Sequence, residues 1–79
     1  MELIRGHVYK AKKPRKVGVF DPLWDDRQIL WVGLDELQYD SPSVKIGKPY
    51  PRISIEKFLK WAGEDITAQM PADREWRRA

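Results

Sequence analysis

The sequence predicts a mostly-β domain of α+β type: a small, curled antiparallel sheet or barrel carrying one short helix near its C-terminal end. Three observations lead there. Short apolar runs with strand-forming side chains recur over residues 3–54, separated by Gly, Pro and Asp. One stretch, Ser54 to Gly63, carries its apolar residues at helical spacing instead. Seventy-nine residues leave room for a single core.

The first strand is expected around LIRGHVYKA, where Val8 and Tyr9 favour extended backbone and Gly6 marks the start. Lys12 to Arg15 reads as a turn or a sheet edge, because Pro14 has no N–H to give a ladder. In KVGVF, Val17 and Val19 share a face, and Gly18 between them marks a bulge or a close backbone approach. Pro22 and the three Asp of DPLWDD mark a loop. RQILWVG is the strongest strand, with Ile29 and Trp31 on one face, Leu30 and Val32 on the other, and both faces covered. After Gly33 the alternation resumes at Leu37 and Tyr39. DSPS is a loop, beyond which Val44 and Ile46 share a strand face until Gly47, Pro49 and Pro51 punctuate the approach to Ile53.

The helix is placed at 54–62. Ser54 is a good N-cap, Glu56 lies in the first turn where the helix dipole favours an acid, and Gly63 falls at C′. Ile55, Phe58, Leu59 and Ala62 form one apolar stripe with Lys57 and Lys60 off it. So short a helix persists only by docking on the sheet. Four or five short strands closed by one helix, at this length, make an SH3-like barrel or a compact sheet with the helix across an open end. Residues 1–66 are thus one barrel-like domain. DITAQM has room for one further turn, and 67–79 is a polar tail that frays unless Trp76 folds back onto the body.

Composition narrows the function. Four Trp, three Tyr and two Phe supply the large side chains on which a small core depends. Without cysteine there is neither a disulfide nor a thiolate metal site, which suits a reducing compartment. No apolar run approaches the roughly 20 residues that span a bilayer, and MELIRGH lacks the apolar core of a signal peptide. A cytoplasmic chain with no membrane association is expected. The net charge of +3 is unevenly spread: residues 1–20 carry +5, 21–40 carry −5, 41–60 carry +4 and 61–79 carry −1.

The residues that carry chemistry are few. His7 is the only histidine, so a histidine pair for a metal cannot be built, and it reads as a solvated or hydrogen-bonded strand residue. Asp21, Asp25 and Asp26 lack the spacing of a calcium loop, and the isolated glycines of GVF, VGL and IGK make no phosphate loop. No catalytic constellation is visible, so no enzyme, cofactor or metal is expected.

Two groups remain as binding candidates. Lys10, Lys12, Lys13, Arg15 and Lys16 put five cations into seven residues, enough to neutralise several phosphates of a nucleic acid. The same residues also suit the protection of a sheet edge against aggregation, the reading favoured by the acidic block that follows them, and KKPRK has the form of a nuclear targeting signal. Among the aromatics, Trp31 and Trp61 belong in or near the core, part of the Trp61 ring being exposed. Trp24 and Trp76 lie in polar surroundings suited to anchoring a partner. Tyr39 and Tyr50 flank a segment that could form a concave wall for a peptide or strand. The partner-binding candidates are therefore Trp24, Tyr50, Trp61 and Trp76.

In its order of features the chain resembles the short proteins of bacterial prophages and phages. It opens with a G-x-V-Y strand (Gly6, Val8, Tyr9), continues through ILWVG and LQYD, and closes with YPRISIEKFLKWA, in which a short helix docks. The resemblance spans most of residues 5–65 and implies a small SH3-like barrel in a bacterial or phage cytoplasm, where such proteins bind nucleic acid or host proteins. The expectation is a non-enzymatic binding module docking a protein partner or a second copy of itself. Nucleic acid held by the Lys10–Lys16 stretch is the alternative, second because the charge alternates in sign along the chain.

Overall fold

A computed structural model describes residues 1–73 and 75–79. The chain runs through β1 (Val8–Ala11), β2 (Lys16–Val17), β3 (Leu23–Trp24), β4 (Arg27–Val32), β5 (Glu36–Asp40), β6 (Arg52–Ser54), α1 (Ile55–Trp61) and β7 (Ala62–Asp65), then a 3-10 turn at Thr67–Gln69. One antiparallel sheet has the order β6-β5-β4-β1-β7. Its two outer strands are consecutive in sequence, joined only by α1. A seven-residue helix is about 10 Å long, so the sheet must curl until its edges nearly meet. This is the small, curled, mostly-β arrangement that the sequence predicts.

The core lies between the curled sheet and α1. Tyr9, Ile29, Leu37 and Phe58 are fully buried, with Ala62 beside them. Phe58 meets Tyr9 edge-on at 5.7 Å between ring centroids and lies 5.3 Å from Trp61. The Tyr9 hydroxyl, buried with its ring, donates to the Glu2 carbonyl and accepts from the Ile4 amide, meeting the demand that burial imposes on a polar group. Ser54 caps α1 as expected, its side chain accepting from the Lys57 amide at 3.1 Å. Leu59, on the margin of the apolar stripe, is 38% exposed.

The sheet departs from the predicted alternation at Leu30. Ile29 pairs with Tyr39 and Trp31 with Gln38, so Leu30 is an extra residue and the strand changes face there. Val32 therefore joins the core while Trp31, expected inside, is 45% exposed. Its indole lies over Gly33, where any side chain would strike the ring at 2.5 Å. The run Val44–Ile46 is not a strand: residues 41–51 form a loop of turns, and only Arg52–Ser54 extends the sheet. Val19 also falls outside β2, at the exposed tip of the β2–β3 hairpin.

Beyond the helix, Glu64 and Asp65 are strand residues. Ala62 caps α1 in an extended conformation and passes directly into β7. Gly63 ends no left-handed cap. A Cβ there would stand 3.1 Å from the Ala11 carbonyl oxygen, so glycine permits β7 to lie against β1.

The second, smaller sheet pairs β2 with β3, Lys16 opposite Trp24 and Val17 opposite Leu23. The last residues of the chain run along β3. Trp24 donates its amide to the Arg77 carbonyl, Ala79 donates to the Pro22 carbonyl, and Leu23 bridges to Arg78. The tail thus returns to the body, with Trp76 half-buried.

Candidate functional site

The basic stretch turns the corner between the two sheets. Lys10 is on β1, which is paired on both sides by β4 and β7 and so is not an edge strand. Edge protection therefore does not account for Lys10, whose Nζ lies 2.8 Å from Glu64 on β7. Lys12 and Lys13 are exposed and make no ion pair with the described residues. Arg15, 78% exposed, reaches Asp25 at 3.8 Å, and Lys16 stands 5.7 Å from the centre of the Trp24 ring. The acidic block divides accordingly. Asp25 faces the basic corner, Asp21 is exposed in the hairpin loop, and Asp26 turns inward.

Asp26 is 1% exposed and accepts both Nε (2.7 Å) and Nη2 (2.8 Å) of Arg77, a two-pronged pair across 51 residues of sequence. The hydrogen bond to Asp26 raises the Arg77 guanidinium above its ordinary range, against the opposing effect of burial. This pair fastens the tail to the hairpin.

Arg27, next in sequence, is held differently. Its guanidinium lies 4.1 Å from the centre of the Trp61 ring and 4.5 Å from that of Tyr39, clamped between the two. Such contacts contribute about 2 kcal/mol or more where water is excluded. Burial pushes its pKa down, with Tyr39 and Asp25 opposing. Its Nη1 is buried without a hydrogen-bond partner among the described residues. Trp61 therefore serves the core with one part of its ring and a cation with another.

Trp76 leads to a concave surface. With Leu23, Val44, Ile46 and Tyr50 it lines a groove of about 410 Å³ walled by the loop between β5 and β6. Lys45, Lys48 and Asp40 also line it. Ile46 is fully exposed and Tyr50 is 48% exposed. Of the four aromatic candidates the groove unites Tyr50 and Trp76; Trp24 and Trp61 lie elsewhere. A second cavity of about 340 Å³, also lined by Trp76, is bounded by Val8, Gln28, Thr67 and Met70 among others, with no charged side chain among the described residues that line it.

His7 lies just before β1. Its Nδ1 is 2.7 Å from Oδ2 of Asp65, and the other oxygen of Asp65 accepts from the Thr67 amide at 2.9 Å. Burial alone would raise the Asp65 pKa, but the hydrogen bonds from His7 and Thr67 outweigh it and hold the carboxyl below its ordinary value. No group of three metal-ligating side chains converges among the described residues, and no helix there is long and apolar enough to cross a membrane.

No family model matches the chain, and no match was found among curated proteins or solved structures.

Val44 and Ile46 lie in the segment between Tyr39 and Tyr50 that the sequence offered as a concave wall, though neither was singled out there, and Leu23 was not selected at all. Val44 and Ile46 alternate like core residues, and only the prolines and glycine around them hinted at a loop. Nothing in the sequence singled out Arg27.

Proposed function

We propose that the chain is a non-enzymatic binding module whose groove docks an apolar peptide segment, bearing an acidic side chain, from a protein partner. The observation that carries this reading is the fully exposed Ile46 set beside Tyr50 and Trp76 on a concave wall. Covering one such aliphatic side chain contributes on the order of 1.5–3 kcal/mol. An isolated exposed isoleucine would need no explanation, but one at the rim of an aromatic-lined groove suits an interaction site. Lys45 and Lys48 against the single Asp40 give the wall a positive bias, hence the acid on the partner. The setting is the bacterial or phage cytoplasm that the resemblance of layout implies.

The test is selection from a displayed peptide library, followed by calorimetry of the enriched peptides. Sequences with adjacent apolar residues and a flanking Asp or Glu are expected. Ile46→Ser and Tyr50→Ala, both at exposed positions, should each weaken binding about tenfold or more without unfolding the protein. Enrichment of peptides indifferent to both substitutions would remove the groove from consideration.

Nucleic acid is the second reading, favoured by Lys12 and Lys13, which have no ion-pair partner among the described residues, and by Lys16 beside the Trp24 ring. It calls for a mobility shift at low salt that weakens steeply as salt is added and vanishes with Lys12→Glu plus Lys13→Glu.

A further inference from the structure

We infer that the cavity between the β1–β2 corner and the C-terminal end of α1 binds a phosphate-class dianion, free or as the monoester of a small molecule. The cavity measures about 220 Å³ and is lined by Ala11, Lys13, Arg15, Asp25, Arg27 and Trp61. It shares no lining residue with the groove, so the two sites stand or fall separately.

Size comes first. Pockets for drug-sized ligands begin at roughly 300 Å³, so this one suits a small charged group. Charge comes next: among the described residues that line it, three cations face one carboxylate, a formal excess of two positive charges. A phosphate monoester carries about −1.5 to −2 at neutral pH and matches that excess. A phosphodiester carries a single negative charge and matches half of it.

Arg27 is held ready at the cavity wall. Its guanidinium is held against the Tyr39 and Trp61 rings, so its charge stands fixed there and the side chain loses little freedom on binding. Among the described residues its Nη1 has no hydrogen-bond acceptor, and an unmet buried donor of this kind is costly. Asp25 does not supply the acceptor. One of its oxygens accepts from the Ser43 hydroxyl at 3.1 Å and the other is 3.8 Å from Arg15. An oxyanion entering beside Lys13 and Arg15 brings acceptors to a set of donors that outnumbers the protein's own.

The test is a titration of the intact protein followed through the backbone amides of residues 13–15 and 25–27 by NMR. Methyl phosphate and dimethyl phosphate are added at matched ionic strength. Methyl phosphate is expected to saturate, with at least tenfold tighter binding than dimethyl phosphate. Lys13→Gln with Arg15→Gln, both exposed, should weaken it at least tenfold while the amide spectrum elsewhere stays unchanged. Asp25→Asn should tighten it, a gain that a merely structural disturbance would not produce. Equal binding of the two esters, or indifference to the double substitution, would overturn the assignment. So would oligonucleotides lacking a terminal phosphate that bind here as tightly as methyl phosphate, since that reports a surface reading strand charge.

Discussion

The five-stranded sheet and the β2–β3 hairpin with its returning tail are held by different forces. The sheet closes over Tyr9, Ile29, Leu37 and Phe58, all withdrawn from water. Neither hairpin strand contributes a fully buried side chain. That unit is held by backbone hydrogen bonds, by Trp24 and Trp76 at half burial, and by one buried ion pair, Asp26 with Arg77. Apolar packing is spread over many contacts and tolerates the loss of one poorly. A buried ion pair concentrates its role in two side chains, and loss of either strands the other. The groove takes Leu23 and Trp76 from the second unit and the β5–β6 loop from the first, so it depends on the pair staying closed.

The contrast breaks first at Phe58. Phe58→Ala empties the centre of the core and should cost about 3–5 kcal/mol, where a chain of this length holds only about 4–12 kcal/mol in all. Denaturant unfolding should show the whole molecule shifting together. Arg77→Met comes next, with about 3 kcal/mol lost from the hairpin unit because the Asp26 carboxylate is left buried and unpaired. Asp26→Asn should be milder, since Arg77 is 22% exposed and can turn to water. Equal losses in the two variants would mean that burial of the carboxylate is not what sets the cost.

Gly63→Val sharpens the sheet side. Its side chain would press on the Ala11 carbonyl, and backbone cannot yield as a flexible side chain can. A loss of about 1–3 kcal/mol is expected, in the range of overpacked sites, measured as a lowered denaturation midpoint. Smallest is the Asp65 contribution. Its carboxyl titrates lower in the folded protein than in the unfolded chain, so the stability it supplies is complete above the unfolded value of about 3.9 and is lost as pH falls through the folded value. Denaturation profiles taken from pH 5 downward should steepen in the native protein and flatten in Asp65→Asn.

What the sequence made legible follows the same division. Side chains that alternate or recur at helical spacing on a buried face announce their elements, and Val8–Tyr9, Ile29, Leu37 and the Phe58 stripe did so. The bulge at Leu30 was illegible because RQILWVG is apolar on both faces, and only pairing with β5 decides where a residue is skipped. Strand β7 was hidden because three of its four residues are exposed polar or glycine positions on a sheet edge, with no alternation to read. Val44 and Ile46 misled for the opposite reason, alternating without a neighbour to pair. Two features that position the candidate sites, the Asp26–Arg77 pair and the Arg27 clamp, join residues far apart in sequence. Charge blocks suggested that acids would fold against the basic corner, yet only Asp25 does so, and Asp26 finds its partner in the tail.

Hydrogen exchange on Arg77→Met compares the two regions within one molecule. The account predicts that the Trp24 and Ala79 amides, bonded to the tail and hairpin carbonyls, lose protection by a hundredfold or more, while the Ile29 and Ile66 amides bonded into the main sheet stay within about threefold of the unaltered protein. Equal loss at Ile29 and Trp24, or an unchanged Trp24, would contradict it.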